Sequence, residues 1–131
     1  MKKFLALMMS LVMIFALTAC GGNNGGTANK YNLDMKSTEV QPMSSERASA
    51  DVLSETAETY FNGLNYFEGS DLANLTYDDV IGHIGVDASE YRYDDTRQAE
   101  LYTWYADGND KASLNVWFID GKLDASGAIN L

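Results

Sequence analysis

Apolar and polar residues change rhythm four times along the chain. Phe4 to Ala16 is apolar apart from Ser10, behind the cations Lys2 and Lys3. That run has the length of a signal-peptide core and is too short to span a bilayer. From Gly21 to about Met43 apolar residues are sparse and no period holds, so the stretch predicts a linker closed by Pro42, the only proline. Within it, Tyr31 to Met35 is a small apolar island that fits either a docked edge segment or a mobile one. Leu53, Ala57, Tyr60, Phe61 and Leu64 then recur at helical spacing and predict a helix over 45–64, with Ser44 or Ser45 as its cap. A second, shorter helix is better punctuated. Thr76 is an N-cap with Asp79 as its capping-box partner, Leu75 and Val80 stand at the staple positions, and Gly85 is a left-handed stop. Val80, Ile81 and Ile84 make its buried side.

After Gly85 the period falls to two. Tyr91-Arg92-Tyr93 predicts a short strand and Glu100 to Ala106 a stronger one. Asp107 to Asp110 reads as a hairpin loop, and Ser113 to Ile119 as a strand alternating Leu114, Val116 and Phe118 against Asn115 and Trp117. Asp120-Gly121 suits a type I′ turn into a last strand from Lys122 to about Ile129. Helices first and strands afterwards mean α+β: two N-terminal helices packed on one face of a three- to four-stranded antiparallel sheet.

Composition limits the partners. Without residues 1–19 the nine basic residues lose Lys2 and Lys3 while all nineteen acidic ones stay, giving a formal charge near −12. Nucleic acid is a poor partner for such a surface, because that binding rests on neutralising phosphates with Lys and Arg. The charge fits good solubility or a basic partner, and an anionic membrane surface would repel it.

Leu17-Thr18-Ala19-Cys20, at the end of the apolar run and followed by Gly21-Gly22, resembles the lipobox of bacterial lipoproteins. The resemblance implies a signal peptide over 1–19, cleavage before Cys20, and a diacylglyceryl group with palmitate-type chains on its thiol. Residues 20–44 are then lipid anchor and flexible linker, residues 45–131 the folded domain, and the location is extracytoplasmic, with the protein lipid-anchored to the bacterial cell membrane. Two acyl chains suffice for stable anchoring where one does not. Cys20 is the only cysteine, so its lipidation leaves none for a disulfide.

Three further segments, Leu75 to Gly85, Tyr102-Thr103-Trp104-Tyr105 and Leu114 to Leu123, resemble in order and spacing the capped helix, aromatic strand and closing hairpin of the BLIP-like family. That family, named for β-lactamase inhibitory proteins, also includes small outer-membrane-assembly lipoproteins. The resemblance covers about residues 46–131 and implies a helix-loop-helix beside an antiparallel sheet. The β-lactamase inhibitors carry two such repeats and this chain carries one, so it implies the fold rather than inhibition.

The residues offer no catalytic group, metal site or cofactor. His83, the only histidine, has no nucleophile motif near it and fits a surface or partly buried helix position. Asp78-Asp79 fit helix-end charge and Asp94-Asp95 a loop before a strand. Asp107, Asn109 and Asp110 match a fragment of a calcium loop without its distal Glu. With one His and one lipidated Cys there is no zinc spacing. The aromatic cluster is the remaining feature. Trp117 has opposite parity to Val116 and Phe118, which places it on the uncovered side of the sheet; with Tyr91 and Tyr93 it forms the predicted partner-binding surface. The other reading of these rings, as core or as residues beneath the 86–99 loop, stays open. Two function classes follow: a non-enzymatic binding or envelope-assembly module acting on a protein through its sheet, or a surface lipoprotein that captures a small ligand or serves as a sensor or transporter accessory subunit.

Overall fold

The structure is a computed structural model that describes residues 26–60 and 74–131. The expected signal peptide, Cys20 and the Phe61–Leu64 end of the first predicted helix lie outside the described residues. The chain divides into two compact units, Met1–Leu33 and Asp34–Leu131. The first contains a short helix, α1 (Gly26–Tyr31), where the low apolar content predicts linker. The Leu33 N–H donates to the Ala28 carbonyl at 3.0 Å behind it.

The second unit is α+β. Its sheet has five antiparallel strands in sequential order: β1 (Gln41–Pro42), β2 (Glu90–Asp94), β3 (Ala99–Ala106), β4 (Asn109–Ile119) and β5 (Lys122–Ile129). Between β1 and β2 come α2 (Ala50–Tyr60) and α3 (Tyr77–Ile84). The strand beyond the three or four expected is β1, from a segment the hydropathy pattern gives to the linker. Gln41 pairs with Tyr91 and Pro42 with Glu90. Either side of it, the Tyr93 N–H donates to the Ser37 carbonyl at 2.8 Å and the Met43 N–H to the Ser89 carbonyl at 2.9 Å. Two residues are too few to show a period, and proline is tolerated on an edge strand; backbone pairing rather than apolar content holds the segment.

The same pairing delays α2. Ser44 N–H donates to the Ala88 carbonyl, and the Ala48 carbonyl accepts from Asp107 N–H, so the chain stays extended past Ser45. The cap is Ser49, whose Oγ accepts from Val52 N–H at 3.2 Å. Leu53 and Ala57 are the buried stripe of α2, and Thr56, fully buried, donates its hydroxyl back to the Val52 carbonyl at 2.7 Å. The start and stop of α3 follow the sequence. The Thr76 hydroxyl accepts from Asp79 N–H, the Asp79 carboxylate accepts from Thr76 N–H at 2.9 Å, and Gly85 turns left-handed at φ 92°. Those Thr76 donors hold the Asp79 carboxyl below its ordinary value.

Register separates the two faces of the sheet. Tyr91 opposes Tyr102, Tyr102 opposes Val116, and Trp104 opposes Leu114. Tyr102, Trp104, Leu114, Val116 and Phe118 are all nearly inaccessible and form the core face. Tyr77, at the start of α3, packs its ring 4.4 Å from that of Tyr102 and 5.8 Å from that of Trp104. The Trp104 indole N–H donates to the Val86 carbonyl at 3.0 Å, so the buried ring keeps its polar handle satisfied. Two irregularities adjust the sheet: one between Tyr105 and Ala106, and one between Trp117 and Phe118, where Asp124 is left over on β5. The second shifts parity, so Leu123 lies opposite Phe118 while Ala125 lies opposite Trp117. Asp120 and Gly121 have φ of 50° and 78°, the sign a type I′ turn requires of both.

Candidate functional site: the second face of the sheet

The register that buries Tyr102 and Val116 turns a second set of side chains the other way: Arg92 with Leu101 and Trp117, Glu90 with Thr103 and Asn115, and Tyr105 with Ser113. Leu101 and Ser113 are buried, while Trp117, Tyr105, Thr103, Asn115, Glu90 and Arg92 are half-buried. An aromatic ring stands at each end of this array and each is held from several sides.

At one end is Trp117. Its indole N–H donates to Asp94 Oδ2 at 2.9 Å. The residue opposite Asp94 is Ala99, whose methyl leaves the carboxylate room to cross the strand. The Arg97 guanidinium lies 5.1 Å from the centre of the Trp117 ring and 3.5 Å from Asp124 Oδ2. The indole N–H, with backbone N–H groups of Arg97 and Thr96, holds the Asp94 carboxyl below its ordinary value. At the other end is Tyr105. Its hydroxyl donates to Glu90 Oε2 at 2.8 Å, and its backbone N–H donates to Ser89 Oγ at 3.1 Å. The Arg47 guanidinium lies 5.6 Å from the Tyr105 ring centre and pairs with Asp110. Burial first, and then the Glu90 contact, raises the Tyr105 pKa.

Between the rings runs a polar chain. Thr103 Oγ1 donates to Asn115 Oδ1 at 2.8 Å, and Asn115 Nδ2 donates to Ser113 Oγ at 3.1 Å. These groups floor a hollow of about 350 Å³ whose rim carries Arg92, Lys111, Val40 and Ile129. Val40 and Ile129 are 57% and 52% exposed, which leaves apolar surface beside the polar floor.

Trp117 therefore lies where its parity places it, but Tyr91 and Tyr93 do not join it. Tyr91 is 1% exposed, and its ring lies 5.1 Å from that of Tyr102 on the core face. Its hydroxyl donates to the Met35 carbonyl at 2.7 Å, and burial raises its pKa strongly. Tyr93 opposes Glu100, on the same side as Tyr91. Alternation fixes which residues of one strand share a face. It does not fix the register between strands, and here that register puts both tyrosines opposite the set expected. Tyr105 takes their place on the Trp117 face; period two within 102–105 sets it apart from Tyr102 and Trp104, and the β3–β4 register supplies the rest. Arg47 and Arg97 had no signal, since each reaches the face from a loop.

On the core side, Tyr93 and Glu100 line a smaller cavity of about 190 Å³ with Lys36 and Phe118. The Lys36 ammonium sits 5.1 Å over the Tyr93 ring, and burial pushes the Glu100 carboxyl up. His83 is exposed in the last turn of α3. Asp94 Oδ1 accepts from Thr96 and Arg97 N–H, and Asn109 Oδ1 accepts from Lys111 N–H, so these groups serve turns. Among the described residues no group of three or more His, Cys, Asp or Glu is placed to hold a metal ion, and no helix is long and apolar enough to cross a membrane. No protein-family model, no curated protein and no solved structure matches the chain.

Proposed function

We propose that the protein is a lipid-anchored extracytoplasmic binding or envelope-assembly module, not an enzyme, that meets a protein partner through the second face of its sheet. In this reading Cys20 carries the lipid, the domain is of BLIP-like type, and α2 and α3 form one layer on the Tyr102 side, which leaves the Trp117 side to the partner. The observation that carries the proposal is the fixing of Trp117. A half-buried indole bonded to Asp94 and covered by an ion-paired Arg97 has little rotamer freedom left to lose on binding. Large aromatics held this way are typical of interface hot spots. On the other side Leu53, Leu114 and Val116 are fully buried in the core.

A photo-crosslinking residue placed at position 117 should yield a discrete adduct in intact envelopes, and one placed at Asp51, exposed on α2, should not. Equal labelling from both positions would remove the sheet face as the working surface. The second reading, capture of a small ligand, draws on the 350 Å³ hollow, which has the volume of a modest ligand site. It predicts that a soluble extract of low molecular mass competes the adduct away.

A further inference from the structure

Charge on the second face is divided unevenly. Four carboxylates stand on or beside it, and three of them are fully engaged with the protein's own groups. Asp94 takes the Trp117 indole and two backbone N–H groups, Asp110 takes Arg47, and Asp124 takes Arg97. The fourth, Glu90, accepts the Tyr105 hydroxyl. Two cations on the same hollow, Arg92 and Lys111, have neither a hydrogen bond from the side chain nor an ion pair among the described residues. Lys111 is exposed, but Arg92 is half-buried. Arg92 acts on Asp94 only through its charge, with no hydrogen bond or ion pair between them; in a chain with nineteen acidic residues against nine basic ones, such a half-buried arginine is a fork left open.

The spacing of the two cations adds a length. Arg92 is in the row of Leu101 and Trp117. The next row is Glu90, Thr103 and Asn115, and the next Tyr105 and Ser113, with Lys111 beyond. Same-face neighbours along a strand are about 6.6 Å apart, so the three steps from the Arg92 row to Lys111 cover about 20 Å of the hollow, the reach of roughly six extended residues. Its floor offers side-chain amide and hydroxyl groups to a peptide backbone, and Val40, Leu101 and Ile129 offer apolar contact between the charged ends.

We infer that this hollow docks an extended acidic segment of the partner protein, with one carboxylate side chain on Arg92 and a second, about six residues away, on Lys111. The inference rests on the protein-binding reading of this face and gives the partner its chemistry. It runs against the domain's overall negative charge, so the attraction is local and short-ranged.

The test uses the full chain in detergent and four blocked or unblocked peptides, with binding read by fluorescence anisotropy at low salt. The first is an acetylated and amidated peptide of about seven residues with glutamate at both ends and Thr-Val-Thr-Val-Thr between. The second replaces both glutamates by glutamine, and the third is the glutamine peptide with a free C-terminus. The glutamate peptide should bind about tenfold or more tighter than its glutamine counterpart, as charge-assisted contacts do. Arg92→Gln should cut that preference at least threefold, and Arg92→Glu should transfer it to the fourth peptide, with lysine at one end and glutamate at the other, which also shows that the variant folds. Equal binding of the glutamate and glutamine peptides, a preference undiminished by Arg92→Gln, or binding of the free-C-terminus peptide alone would each overturn the inference. An adduct at position 117 that persists through such a result would leave the broader reading of the face standing.

Discussion

Residues 117 and 118 are neighbours in sequence and opposites in the structure, so one pair of substitutions tests the face assignment. Phe118 is 1% exposed, with its ring 5.7 Å from that of Tyr102 and 6.3 Å from that of Tyr77, both near edge-on. Phe118→Ala removes this packing and leaves a cavity that neighbouring strands cannot close, at a cost of about 3–5 kcal/mol. Trp117→Ala removes a side chain that already meets solvent. Half the usual transfer term is about 1 kcal/mol, the exposed Arg97 contact adds roughly 0.5–1 kcal/mol, and the hydrogen bond to the Asp94 carboxylate, which water also reaches, about 0.5 kcal/mol. No sealed void forms. The expected gap is therefore about 2 kcal/mol, which in a unit of this size separates the melting midpoints by roughly 8–16 °C. Urea melts followed by far-ultraviolet circular dichroism measure it without relying on either tryptophan. Fluorescence provides a second check. Trp104 is 1% exposed, so Trp117→Ala should leave a blue-shifted emission that acrylamide quenches poorly. Equal destabilisation by the two variants, or a larger loss from Trp117→Ala, would mean that the sheet faces are assigned the wrong way round.

Three other outcomes are expected. Burial raises the Glu100 carboxyl above its ordinary value, so its ionised form weakens the fold as pH rises through that raised value; Glu100→Gln should be more stable than the native protein at neutral pH, and the two should converge in acid, as melting curves across pH will show. The Asp79 carboxyl has the opposite sign: its folded pKa is lowered, so the capping-box contribution is complete above the ordinary aspartate value and fades as pH falls through the lowered one. Thr76→Ala should cost about 1 kcal/mol at neutral pH and flatten that part of the profile. Cys20→Ser should abolish incorporation of a palmitate analogue in metabolic labelling, and label retained by the variant would remove the anchor from the proposal.

What could be read from the chain, and what could not, divides by range. Thr76 with Asp79, Gly85, and Asp120-Gly121 act within three or four residues, so composition alone located the limits of α3 and the last turn. Lys122 to Ile129 was also legible, because that turn sets where β5 begins. Its facing was not, since the leftover Asp124 reverses parity midway. Tyr91 went astray because β2 is joined to β3 through Asp95–Gln98, where Gln98 adopts φ 52°, and nothing in Tyr-Arg-Tyr states which side its odd residues take. β1 was invisible for a different reason: its support is backbone hydrogen bonding to residues some fifty positions away. The second face shows the same division. Parity found Trp117, but Arg97, Asp94 and Arg47 come to it through contacts that no local pattern encodes.

The edge position of β1 has a mechanical consequence. A load applied at Asp34 meets the domain first along the 35–44 segment, where it is carried by the Tyr91 hydroxyl on the Met35 carbonyl, the Ser37 carbonyl, and a two-residue ladder. Pulled outward from an edge, these bonds break one after another rather than together, as a zipper opens. The first part of the domain to yield under tension is thus the part that covers Tyr91, while β3, β4 and β5, and with them Trp117 and Tyr105, lie behind it in the order of failure.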